Sequence, residues 1–209
     1  MSVKDKKYPA ELLTHEEVSR IMASFPQTPG GDRDRAMLAV AYRAGLRIAE
    51  ILHLTPKDVD GHKIRVLHGK GDKMRVSGID DWGLEWLKKW MDQRRQIADI
   101  DDGCALFCVV SGPLKGNPLS YQTVYDRLEA AAKRSGIPKR IHFHGFRHAH
   151  AALLVANNFD LTDIQDQLGH ASLDGTSHYL KRLSPDKLVA KIASLPQPVD
   201  NRATMEGKS

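Results

Sequence analysis

Residues 63–79, KIRVLHGKGDKMRVSGI, are where this 209-residue chain most plainly alternates as a pair of strands does, with two β-like runs around the glycine-rich turn GKGDK. Most of the rest is patterned for helix. THEEVSRIMASF opens on a capping box, with Thr14 as N-cap and Glu17 three residues on. GDRDRAMLAVAYRAG carries apolar residues at helical spacing and stops at Gly45. LRIAEILHL is a short helix ended by Thr55-Pro56. WGLEWLKKWMDQRRQIADI sets Trp82, Trp86 and Trp90 at i, i+4 and i+8, a stripe expected to face the core. SYQTVYDRLEAAAKRSG runs from a Ser120 cap to Gly136. HGFRHAHAALLVAN, LTDIQDQLG, HASLDGTSHYLK and SPDKLVAKIASL follow as helices or turns, the last with Ser184 as N-cap and Pro185 after it. ALFCVV reads as a short buried strand, and SGPLKGNPLS as a loop. The expected fold class is α+β, mainly α-helical with a small antiparallel β-sheet. One folded domain is expected over residues 13–195, between an N-terminal arm (1–12) and a disordered tail (196–209).

Composition narrows the function classes. No apolar run reaches 18 residues, so no membrane span is expected, and MSVKDKKYPA lacks the apolar core of a secretory signal. The two cysteines, Cys104 and Cys108, sit in or beside ALFCVV and read as small buried hydrophobes, which fits a reducing, cytoplasmic setting. A net charge of +5 permits a polyanionic partner without requiring one.

The densest chemistry is HFHGFRHAH, residues 142–150. His144 and His148 have the i, i+4 spacing of helical zinc ligands, but a fixed arginine charge lies between them, with neither Glu nor Cys beside it. His144 and Arg147, at i, i+3, suit an anion better: a bidentate fork for phosphate oxygens and a group that exchanges protons. Local spacing leaves a metal site, an anion site and plain polarity all open. Arg47 begins a helix of Ile, Leu and Ala. Lys70 and Lys73 sit on the hairpin tip, which is no Walker A loop. His170 follows Gly169, and Tyr179 comes nine residues later. Each of these, taken singly, is as readily an ordinary solvated or core residue.

Taken together and in order, AGLRIAEILHL, GKGDK, HGFRHAHA and LGHASLDGTSHY resemble the boxes of the tyrosine recombinases, the phage-type integrases and Xer-type site-specific recombinases. The resemblance covers about residues 12–193. It implies the catalytic fold of that family over 13–195, with Arg47, Lys70, His144, Arg147, His170 and Tyr179 as catalytic residues. It implies site-specific cleavage and rejoining of DNA through a 3′-phosphotyrosyl link, with no cofactor and no metal. Tyr179 would attack the phosphate, and the two arginines would stabilise the transition-state charge. His144 would help take the tyrosine proton, His170 would bond a phosphoryl oxygen, and Lys70 would protonate the leaving 5′-oxygen. His148 would support the site; His142 and His150 are given no role. Partners implied are double-stranded DNA, further copies of the chain as a tetramer on DNA, and room for accessory DNA-bending proteins, in a cytoplasmic, nucleoid-associated setting. Alternatives are a non-catalytic DNA-binding regulator with the same fold and a type IB topoisomerase-like relaxase, with a zinc-binding structural protein more remote. RVSGIDDWGL departs from the R-x-V-P-L continuation usual after the hairpin, which makes Lys73 a rival to Lys70. Family members carry a core-binding domain ahead of the catalytic one, whereas here the catalytic pattern starts near Thr14. SPDKLVAKIASL, with Leu188, Val189, Ile192 and Leu195 on one face, resembles the segment that docks onto a neighbouring subunit.

Overall fold

The computed structural model describes residues 12–67, 74–97 and 100–169. Lys70, Lys73, His170, Tyr179, the helix expected at 184–195, the tail and the arm up to residue 11 lie outside the described residues.

Seven helices and a three-stranded antiparallel sheet occupy the described chain, in the order α1 (His15–Ala23), α2 (Pro29–Arg43), α3 (Ile48–His53), β1 (Val59–Asp60), β2 (Lys63–Val66), β3 (Arg75–Gly78), α4 (Asp81–Arg95), α5 (Tyr121–Ser135), α6 (Phe143–Ala156) and α7 (Leu161–Leu168). The predicted helix ends rest on local chemistry that the structure shows directly. The Thr14 hydroxyl accepts from the Glu17 amide while the Glu17 carboxylate takes the Thr14 N–H. Ser120 caps α5, and Gly136 and Gly169 end α5 and α7 in the left-handed region. The sheet order is β1-β2-β3, with Ile64 opposite Ser77 and Val66 opposite Arg75 on the inward face. β1 was not foreseen: two residues are too short to show any alternation.

Helix α2 runs through the middle of the core, from Gly30 to Tyr42 buried on every side. Its alanines (Ala36, Ala39, Ala41) let α4 and α6 approach closely, and α1 and α5 close the cluster. A second small cluster, Ala151, Ile164 and Leu168, holds α7 against α6. The charged start of α2, Asp32-Arg33-Asp34-Arg35, is buried with the rest. It survives there because the charges pair: Arg33 with Asp34, Arg35 with Asp32, and Arg127 of α5 with Asp34.

Two sequence expectations need correction. The tryptophan stripe splits. Trp90 is wholly buried, while Trp82 and Trp86 are half-buried and stack edge-on at the margin. Each i+4 step advances roughly 40° around a 3.6-residue helix, so a three-step stripe winds off the core face. The buried line of α4 is instead Leu84, Leu87, Trp90 and Arg94. ALFCVV is not a strand of the sheet; its ladder is limited to one isolated bridge, Cys108 to Pro118. Side chains take its carbonyls where a neighbouring strand would have: Arg94 donates to Cys104 and Ala105, the Trp90 indole to Leu106, and Arg33 to Cys108. The apolar content correctly marked the segment as buried, with Leu106, Phe107 and Cys108 fully enclosed.

Candidate active site

Arg47 and Arg147 are 100 residues apart in sequence and meet at one place, the C-terminal end of α7. Arg47 is the N-cap residue of α3, reached through the turn that ends α2. Gly45 in that turn has φ +67°, and a Cβ there would lie 2.5 Å from the His150 ring, so glycine alone fits. Arg147, on the second turn of α6, is 1% exposed. Its Nη1 donates to the Gly45 carbonyl and its Nη2 to the Leu168 carbonyl, both at 2.5 Å. Arg47 Nη2 donates to the next carbonyl, Gly169, at 3.3 Å. The carbonyls at a helix C-terminus carry partial negative charge and lack intrahelical donors, so guanidinium groups suit them.

A third arginine joins them, and sequence reading missed it. Arg75 of β3 lies across Gly169, where a Cβ would come within 2.8 Å of its side chain. Its fork meets the Glu50 carboxylate atom for atom, with Nη1 to Oε1 and Nη2 to Oε2 both at 2.9 Å. Glu50 also takes the Arg47 backbone N–H at 2.8 Å and Arg47 Nη1 at 2.7 Å. Burial alone would raise the Glu50 carboxyl, but the Arg75 fork and the Arg47 contacts outweigh it and hold the group at about 2. Glu50 is therefore a carboxylate that sets the direction of Arg47. Its i+3 relation to Arg47 was a readable signal; Arg75 offered none, because its partner is remote in sequence.

His144 lies at the surface on the first turn of α6, above the buried Arg147. Partial burial and then the Arg147, His142 and Arg47 charges hold its imidazole below the ordinary value, so at neutral pH it is an uncharged base. Its ring meets His148 edge-on at 4.1 Å between centroids. The structure thus brings together Arg47, His144 and Arg147 of the six predicted residues. His150, given no role from sequence, is nearly enclosed, and burial with the nearby Arg43 and Arg147 charges pushes it down to about 4. Among the described residues no group of three or more His, Cys, Asp or Glu is placed to hold a metal ion. Three guanidinium groups, Arg47, Arg75 and Arg147, share this corner with one carboxylate, Glu50, which leaves it an excess of positive charge.

Known proteins resemble the chain along most of its length. The model of the phage integrase family matches residues 11–184. The tyrosine recombinase XerC of Shewanella sp. (strain W3-18-1) is 36% identical over 176 residues, 83% of this chain and 54% of that protein. The chain thus spans about half the length of the curated relatives it matches. Among solved structures, the XerA recombinase superposes with a TM-score of 0.74 at 26% identity, covering 95% of this chain and 68% of that one. The XerH site-specific recombinase, bound to a palindromic difH substrate in a post-cleavage complex, gives 0.69 at 27% identity, covering 90% of this chain and 54% of that one.

Proposed function

The chain belongs to the phage integrase family, and from that premise we propose that it cuts and rejoins DNA strands at specific sites through a 3′-phosphotyrosyl intermediate. The observation that carries this reading is the convergence of Arg47 and Arg147 on consecutive carbonyls, Gly169 and Leu168. The residue that follows in the chain is His170, so both arginines gather at the start of the segment that carries His170 and Tyr179.

In the proposed reaction the Tyr179 oxygen attacks the scissile phosphorus and the 5′-oxygen of the next nucleotide leaves. One phosphate ester replaces another, so the bond energy is retained and no nucleotide triphosphate is consumed. His144, uncharged near neutrality, assists removal of the phenol proton, and Lys70 returns a proton to the leaving oxygen. Arg47, Arg147 and His170 meet the charge that grows on the non-bridging oxygens. Residues 13–195 act as the catalytic unit, working on double-stranded DNA in the cytoplasm as a tetramer of this chain. No described helix is long and apolar enough to cross a membrane.

The test is covalent trapping on nicked duplexes carrying candidate sites, followed by denaturing electrophoresis. The parent protein should yield a DNA-linked band and Tyr179→Phe none. Retained DNA binding without a band for the parent would point to the non-catalytic regulator.

A further inference from the structure

The Gln167 side chain sits where three separate elements meet. Its Oε1 accepts from the Gly78 N–H at 2.8 Å, and its Nε2 donates back to the Gly78 carbonyl at 2.8 Å, so the amide pairs with the end of β3 as another strand would. Nε2 also lies 3.1 Å from the Ala44 carbonyl, in the turn between α2 and α3, and 3.3 Å from His150 Nε2. The low affinity of the enclosed His150 for a proton leaves its ring neutral, and Nε2 accepts from Gln167 in the tautomer that carries the proton on Nδ1. Ser77 Oγ reinforces the seam by donating to the same Ala44 carbonyl at 2.8 Å.

The neighbours of these anchor points matter most. Ala44 precedes Gly45, and Gln167 precedes Leu168; Gly45 and Leu168 supply the two carbonyls that grip Arg147. Gln167 therefore ties together the two backbone segments whose separation decides where the Arg147 fork sits. We propose that Gln167 is a positioning residue for Arg147: it splints the end of α7 to β3 and to the α2–α3 turn, and so sets the guanidinium at the distance from the phosphate that cleavage needs. This rests on the reading of Arg147 as a phosphate-binding group. A splint of this kind acts on rate more than on affinity, because displacement of a catalytic group by a fraction of a bond length is felt most in the transition state.

Gln167→Met keeps the length and removes every polar contact; Thr162→Met, on the exposed first turn of α7, is the control. In single-turnover cleavage of a nicked duplex at saturating protein, Gln167→Met should cleave about 10- to 100-fold more slowly. DNA affinity should stay within about twofold and the control should match the parent. In a double-mutant cycle with Arg147→Lys the two losses should be less than additive, which a general weakening of the fold would not produce. The Nε–Hε NMR signal of Arg147, assigned through Arg147→Lys, should move in Gln167→Met and stay in place in Thr162→Met. Should Gln167→Met fail to fold, Gln167→Asn, one methylene too short to reach Gly78, should show the same displaced signal. Parent-like cleavage, additive losses or an unmoved Arg147 signal would overturn the proposal. A parent that never forms a covalent complex would instead sink the recombinase reading, and the Arg147 signal would still decide whether Gln167 positions that arginine.

Discussion

Glu50 shows how far a single residue's surroundings can redirect its role. On a helix of Ile, Leu and Ala a lone glutamate would be expected to face water, yet its side chain is 2% exposed and answers two arginines. Glu50→Gln keeps the shape and removes the charge, leaving the Arg47 and Arg75 guanidinium groups against a neutral amide. A loss of about 3 kcal/mol is expected in urea denaturation at pH 7, together with slower DNA cleavage as Arg47 loses its direction. The pH dependence has a definite sign. The folded carboxyl titrates at about 2 and an unfolded one near ~4.3. The stabilisation is therefore complete above the unfolded value and is lost as pH falls toward the folded one. The difference between parent and Glu50→Gln should shrink to nothing across that window.

At the scale of elements, α2 carries both the core and the struts that hold loops to it. The Arg35 fork spends its donors on Asp32 and on the carbonyls of Met22, Phe25 and Pro26, which fastens the α1–α2 connection. Arg33 reaches Cys108 and so fastens the segment that failed to become a strand. Arg35→Met would strand Asp32 beside a lone lysine, Lys89, and take a donor from three carbonyls, of which Met22 and Pro26 keep a backbone N–H. It is expected to cost about 3–5 kcal/mol in chemical denaturation. Thr14→Ala, which removes half of an exposed capping box, should cost only ~1 kcal/mol by the same measurement. The contrast follows from burial: water replaces the lost partner at Thr14 and cannot at Arg35.

For the whole molecule, a loss of stability near pH 5 is expected, and it has a nameable source. His150 is buried where helix α6 meets the α2–α3 turn and the end of α7, and it titrates at about 4 when folded. An unfolded histidine titrates near ~6.5, so between these values the unfolded chain binds a proton that the folded chain refuses. Stability contributed by the neutral ring is full above the unfolded value and falls as pH drops toward the folded one. Up to about 3 kcal/mol should disappear across that window. His150→Gln should flatten the dependence of unfolding free energy on pH there, whatever it does to stability at pH 7. Asp80 and Arg43, which form an ion pair lining the same cavity as His150, should contribute little to that slope, because the Asp80 carboxyl is held below its usual range.

How much of this was legible followed the range of the forces involved. Helix ends, glycine stops and the β2–β3 hairpin were readable because a cap, a left-handed turn or a two-residue alternation is settled by residues within four or five positions. The four family boxes were readable for a related reason: each is a short, ordered string, and their order along the chain identifies the fold without its coordinates. What the chain alone did not disclose were the partners of charge. Nothing near Arg75 announces Glu50, nothing near Gln167 announces Gly78, and the buried Asp-Arg run opening α2 looks in sequence like a solvated face. Such contacts depend on where turns place segments tens of residues apart, and a buried donor accepts whichever carbonyl the packing delivers. Residue types and their spacing thus determined where the described helices form and end and which side chains could carry phosphate chemistry. Only the tertiary structure decided that two arginines a hundred residues apart would grip the end of one helix, because desolvation makes that pairing compulsory only once the helix has packed.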